Sequence, residues 1–371
     1  MQFLNDTSDF GWIINIAFLV FIIVFSLYGQ KFQLHMWLRQ IESALIELRI
    51  MMINSKEKAL EVIKKYTEEG KDPKEKFEKF LEFFTIEPVD KDPAGVLDRL
   101  EHLIETRKER FEEFIKDIAP NANEVTRSNL ENTVEVAMVL NLIFRIVRHY
   151  WILGKKTGST LIIMQLQMQL ADIMRLAKSY AKAIDPFSKG KPIGDSIGPL
   201  SVTTFAKKHN APEYHDNFEK EIGYYQVNFE GRTIYVIRAT GPGGRVGKPG
   251  FAIKKMIDLH KNEIKRIITV DAALKLEGEK TGTIVEGVGA AIGDPGPEKY
   301  AIEQTATERN IPIDAIVCKQ SEAEAVGTMN KQILDTVDEI VKTIEEAILK
   351  RTKPGDHIIL AGIGNTIGVG I

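Results

Sequence analysis

Cysteine is almost absent: Cys318 is the one thiol in 371 residues. No intrachain disulfide can form, as suits a chain whose bulk faces a reducing compartment. Charge imbalance is absent too. A net charge of −3 with 27% charged residues describes neither a nucleic-acid binder by bulk charge nor an acidic disordered tail, so no nucleic-acid partner is expected. The first ten residues hold Asp6 and Asp9 but no Lys or Arg, and QKFQLHMWLRQ after Gly29 offers no small-residue cleavage site. Both features of a secretory signal are therefore missing. The Gly-rich stretch GPGGRVGKPG lacks the GK[ST] ending, which excludes a P-loop. His209, His215 and His260 have no metal-ligand spacing with one another and read as surface or structural residues.

The chain does contain a long apolar run. Residues 11–29, GWIINIAFLVFIIVFSLYG, carry no charge, and Asn15 and Ser26 are their strongly polar side chains. A bilayer core takes about 20 such residues as a helix, and Trp12 and Tyr28 stand where aromatic rings prefer the interface. The expectation is a single-pass anchor over residues 1–30 that meets the lipid bilayer through residues 11–29. Lys31, Arg39 and Arg49 come after the run, so the N-terminus is expected outside and the bulk in the cytoplasm. A buried helix of a soluble protein is the alternative.

Residues 31–185 read as an all-helical domain. Phe32, Leu34, Leu38, Ile41, Leu45, Leu48 and Met51 recur at mostly three- and four-residue spacing and make one apolar face. Gly70, Pro88 and Pro93 punctuate the next hundred or so residues into shorter helices. MVLNLIFRIVRHYWIL is apolar enough to resemble a second span, but Arg145, Arg148 and His149 interrupt it, and it reads as a packed amphipathic helix. This domain is the expected surface for a homo-oligomer.

From residue 186 to 371 the character changes to a Gly-rich α/β domain. RTIYVIRAT, EIKRIITVDAA, TGTIVEG, IPIDAIVCK and DHIILAGIGN are β-branched runs alternating with helical segments. That alternation predicts an α/β fold with a mostly parallel sheet covered by helices. Ligands of such sheets bind at the carboxyl ends of the strands, which directs attention to four loops. GDSIGPL carries Asp195 ahead of a helix, and the strand ITVDAA ends at Asp271. Gly241, Gly243, Gly244, Arg245 and Lys248 form a loop whose backbone amides can cradle an anion. EGVGAAIGDPGPEK contributes Glu286 and Asp294. Asp195 and Asp271 can hold a divalent metal through carboxylate oxygens, or share a proton as an acid–base pair. Otherwise Asp195 caps its helix and Asp271 makes a turn. Cys318 reads as buried in its strand.

These stretches carry a resemblance. GDSIGPL (194–200), ITVDAALKLEGEKTGTIVEG (268–287) and AAIGDPGPEK (290–299) resemble elements of the spore-protein-degrading endopeptidase and the hydrogenase maturation proteases. The resemblance implies that fold, with Asp195 and Asp271 as catalytic or metal-binding acids. In those families a strand running into G-x-G-N precedes the first motif. Here HIILAGIGN stands near the end, at 357–365, which reads as a circular permutation placing Gly362, Gly364 and Asn365 beside Asp195. The alternative is one more strand with a Gly-rich tail. A histidine matching the third metal ligand of the maturation enzymes is missing, with Cys318 and Gln320 nearby instead. The whole chain also resembles an uncharacterised archaeal family with one N-terminal membrane helix.

Three functions stay open. One is a membrane-anchored hydrolase, a peptidase by the resemblance, using Asp195 and Asp271 with or without a divalent metal. Another is a membrane-tethered binding or scaffold protein with a Gly-rich anion pocket. The third is a nucleotide- or phosphate-using enzyme built on Arg245 and Lys248.

Overall fold

The computed structural model describes residues 7–89, 95–211, 213–260, 263–293 and 296–370. Asp294, a candidate by its Gly-rich loop, lies outside them. Five helices come first: α1 (Thr7–Lys64), α2 (Lys74–Phe80), α3 (Val96–Ile118), α4 (Glu124–Thr157) and α5 (Thr160–Lys189). A 3-10 turn (Gly194–Ser196) leads into α6 (Ile197–Lys208). Strands β1 (Tyr214–Glu219), β2 (Ile222–Phe229) and β3 (Arg232–Ala239) come next. After them come α7 (Pro249–His260), β4 (Ile264–Leu274), β5 (Ile284–Val288), α8 (Pro297–Glu308) and β6 (Ile313–Gln320). The remaining elements are α9 (Glu322–Val326), α10 (Lys331–Leu334), α11 (Val337–Arg351) and β7 (His357–Gly362). An all-helical N-terminal region thus precedes a mixed α/β domain.

Contacts divide the chain into two compact units, Met1–Ile53 with Leu140–Ala177 and Asn54–Val139 with Lys178–Ile371. The first is helical. Ile41, Leu45 and Leu48 of α1, Val147 of α4, and Ile163, Leu166 and Leu170 of α5 are buried, at the three- and four-residue intervals that put them on one side of each helix. Gly154 allows close packing, since a Cβ there would fall 2.4 Å from Ile163 Cδ1. Trp151 Nε1 donates to Leu38 O at 3.3 Å.

The membrane expectation needs a correction of place. Among the described residues one helix is long and apolar enough to cross a bilayer, by length and composition, and it is Glu124–Thr157 rather than the N-terminal run. The described apolar stretch near the N-terminus is Gly11–Ile23. Arg145 and Arg148, expected to exclude a span, interrupt a helix of 34 residues that still contains a sufficiently apolar stretch.

In the second unit, the end of α1, α2, α3 and the start of α4 bury Ala59, Ile63, Phe77, Phe111, Ile115 and Leu130 together. Phe80 stacks on Phe114 with ring centroids 3.7 Å apart. The rest of the unit is a seven-stranded sheet in the order β1-β2-β3-β7-β4-β6-β5. β7 pairs in parallel with β3 and β4, and β4 with β6. The pairs β1–β2, β2–β3 and β5–β6 are antiparallel. The sheet is therefore mixed, which corrects the mostly parallel expectation. One physical source is the β2–β3 hairpin, whose two-residue loop holds Glu230 at φ 47° and Gly231 at φ 73°. Positive φ at both positions is the type I′ geometry that matches strand twist.

β7 is central and buried on both sides, so its sequence is continuously apolar. Ile358 and Leu360 join the core under α6 and α11. Ile359 and Ala361 join the opposite core under α7 and α8. Helix α6 approaches the sheet so closely that a Cβ on Gly198 would lie 2.1 Å from Ile363 O and 2.5 Å from Val270 O. Both obstacles are backbone and cannot swing aside. Gly198→Ala is therefore expected to destabilise the protein by about 1–3 kcal/mol through overpacking. Urea denaturation of the two proteins measures it, and equal midpoints would mean that α6 does not sit this close.

Candidate active site

The close approach of α6 puts its leading turn at the carboxyl ends of β7 and β4. Asp195 occupies the 3-10 turn Gly194–Ser196. The turn is held by Gly194 N donating to Gly327 O at 3.2 Å. Beyond β7 the chain turns through Gly364, at φ 125° with its would-be Cβ 2.1 Å from Asp195 O. No other residue fits a position that combines this φ with such contact. Asn365 N then donates to Asp195 Oδ2 at 2.7 Å. Residues 190–196 and 362–368 thus touch, Gly362 itself lying under Gly198. Asn365 Oδ1 accepts from Ile367 N at 2.9 Å, so side chain and backbone of Asn365 fix the same turn.

Asp271, in β4, is 7% exposed, and Ala272 N donates to its Oδ1 at 2.7 Å. Burial first, and the Asp195 charge second, push the Asp271 carboxyl well above its ordinary value. Burial likewise raises Asp195, with the Asn365 amide opposing. Each acid therefore resists ionisation, and for Asp271 the Asp195 charge is one of the causes. Gln320, at the end of β6, belongs to the same neighbourhood, because a Cβ on Gly194 would meet its Oε1 at 2.4 Å. It is 1% exposed, and both its amide atoms lack a hydrogen-bond partner. Unpaired buried amides are uncommon, and this one offers a donor and an acceptor beside the turn that carries Asp195.

The other expected ligand residues are occupied by contacts within the chain. Two amides of the 362–365 turn are already used, Ile363 N by Val270 O at 2.8 Å and Asn365 N by Asp195. The Gly241–Gly244 loop rests on α4 side chains. Asn132 Nδ2 donates to Gly244 O at 2.8 Å, and Gly244 N donates to Asn129 Oδ1 at 3.0 Å. Cβ atoms on Gly243 and Gly244 would meet Ser128 and Asn132, and one on Gly241 would meet Val369 O. Arg245 pairs with Glu124 and Glu221, and Lys248 with Glu101 and Glu105. The loop's positive charges are therefore matched by carboxylates of the same chain. Glu286 stands on the edge strand β5 in an ion pair with Arg351. Cys318 is buried, and burial raises its thiol pKa.

One group is not apparent from the sequence. His260, Glu263 and His357 bring three ligand atoms within 4.8 Å of one another and can hold a metal ion. The histidines are half-buried and the glutamate exposed. His260-x-x-Glu263 was the available signal. His357 joins it because β7 inserts beside β4, which spacing along the chain does not reveal.

The chain belongs to the DUF1512 family. The profile described as the DUF1512 N-terminal domain, of unknown function, matches residues 15–190, and that of the DUF1512 C-terminal domain, also of unknown function, matches residues 193–370. No curated protein matches the chain. These matches carry neither the resemblance to the spore endopeptidase and hydrogenase maturation proteases nor an archaeal source. Family membership replaces both, and the circular permutation inferred from the protease resemblance falls with it.

The raised acids lead to a titration experiment. A carboxyl with a raised folded pKa adds stability below its unfolded pKa, about 3.9, and that stability is lost as pH rises through the folded value. Asp271→Asn removes the buried charge without changing shape. The variant is expected to be more stable than wild type at pH 8, with the advantage vanishing below about pH 4. Urea denaturation at the two pH values decides, and a variant less stable at pH 8 would show that the Asp271 charge is well solvated.

Proposed function

We propose that this DUF1512 member is a membrane-associated hydrolase whose acid–base pair is Asp195 and Asp271. The observation that carries this is that burial raises the pKa of two acids at the carboxyl ends of β7 and β4, where ligands of α/β sheets bind, Asp271 further through the Asp195 charge. With one proton between them, the ionised partner takes a proton from water while the protonated partner gives one to the oxygen or nitrogen of the bond being cleaved. Gln320 Nε2, buried and unpaired, is the donor available to a substrate carbonyl. An amide or ester is the class of substrate that uses all three groups. Lipid contact through an apolar helix would keep this chemistry near a membrane. The phosphate-using alternative finds less support, because the cations it needs are paired within the chain.

Turnover of peptide and ester libraries by the full chain in detergent tests the proposal. Asp195→Asn and Asp271→Asn should each lose about 10²–10⁴-fold of the rate, the usual weight of a general acid or base, with unchanged circular dichroism. Activity should fall as pH rises and the shared proton is lost. Undiminished turnover in both variants, or none in wild type at any pH, would leave the binding or scaffold protein as the better description.

A further inference from the structure

We propose that His260, Glu263, His357 and Tyr235 form a tetrahedral zinc site at the end of the sheet opposite the acid pair. Glu263 Oε2 lies 3.4 Å from His260 Nδ1 and 3.6 Å from His357 Nδ1. The Tyr235 hydroxyl lies 3.3 Å from each of these nitrogens. Zinc bonds to nitrogen and oxygen of about 2.0–2.1 Å give a tetrahedron with edges of about 3.3–3.4 Å. These four of the six separations are close to such edges. Two imidazoles and a carboxylate are a zinc donor set, and the hydroxyl marks the fourth corner, which a water also fits.

The donors are held in place before any metal arrives. His260 is the last residue of α7, and Glu263 N donates back to His260 O at 2.9 Å, which turns the glutamate beside it. The Tyr235 ring stacks on His260 with centroids 4.4 Å apart. His357 opens β7, directly opposite Ile264 of β4. Glu263 is exposed, so the metal can enter from solvent. A bound zinc would tie α7 and the start of β4 to the first residues of β7 and to β3. Its position far along the strands from Asp195 and Asp271 makes it a structural metal.

The test is metal titration of the full chain in detergent after treatment with a chelator. The expected result is one zinc per chain and a melting temperature that rises with zinc. Cobalt should give the visible bands of tetrahedral coordination. Glu263→Gln, at an exposed position that does not put folding at risk, should bind zinc at least about 10-fold more weakly, since losing even an outer-shell partner costs about 10–100-fold, and His357→Ala should not bind it stoichiometrically. Asp271→Asn should bind like wild type. The proposal is overturned if wild type takes up no stoichiometric zinc or if Glu263→Gln binds it as tightly. It is equally overturned if uptake is lost in Asp271→Asn while persisting in Glu263→Gln. In the first case the four residues are a metal-free hydrogen-bonded knot, and in the second the zinc sits elsewhere.

Discussion

The arrangement of the α/β unit depends on one contact made almost entirely of backbone. The first turn of α6 lies against the ends of β4 and β7, with Gly198 facing two carbonyls and Gly362 facing the helix in return. Two glycines let a helix and a sheet meet without side chains between them. The same contact sets Asp195 beside the Asn365 amide and within electrostatic reach of Asp271. A side chain at either glycine would lift the turn off the strands and separate the acids.

Around this contact the chain distributes charge unevenly. Among the described residues no cation offsets the acids, so their cost of ionisation shows as raised pKa values. The neighbouring Gly-rich loop is the reverse: each of its cations has at least one carboxylate partner, two of them supplied by α3. The helical segments of the second unit therefore complete the electrostatics of the α/β part as well as packing against one another. The Thr366 hydroxyl adds a polar anchor, lying 3.0 Å from Thr240 O and 2.9 Å from Gly243 O.

Much of this architecture could be read from residue order. The β-branched runs that became β3, β4, β6 and β7 were legible, most plainly β3 and β7, where burial on both faces leaves few polar positions. β1 and β2 were not, since Tyr214–Glu219 is largely polar and half-exposed and its hairpin partner lies toward the sheet edge. Missing that pair made the sheet look mostly parallel. Asp195 and Asp271 stood out as acids at strand and helix ends, and the Asp195 charge acts on Asp271. Gln320 gave less signal, because a glutamine at a strand end is ordinary until its burial is known. The paired state of Arg245 and Lys248 was invisible for a similar reason: Glu101, Glu105 and Glu124 belong to helices far back in the sequence.

The place of β7 in the sheet has a consequence for how the protein is made. β3 and β4 are synthesised well before it, yet neither pairs with the other; each waits for the strand that will lie between them. Until residues 357–362 leave the ribosome, two apolar strand edges have no partner, and exposed edges of this kind invite pairing with other chains. Assembly of the α/β core is thus a late event governed by long-range contacts, which are slow to form. In the cell, the interval between making β4 and making β7 is when this chain most needs a chaperone.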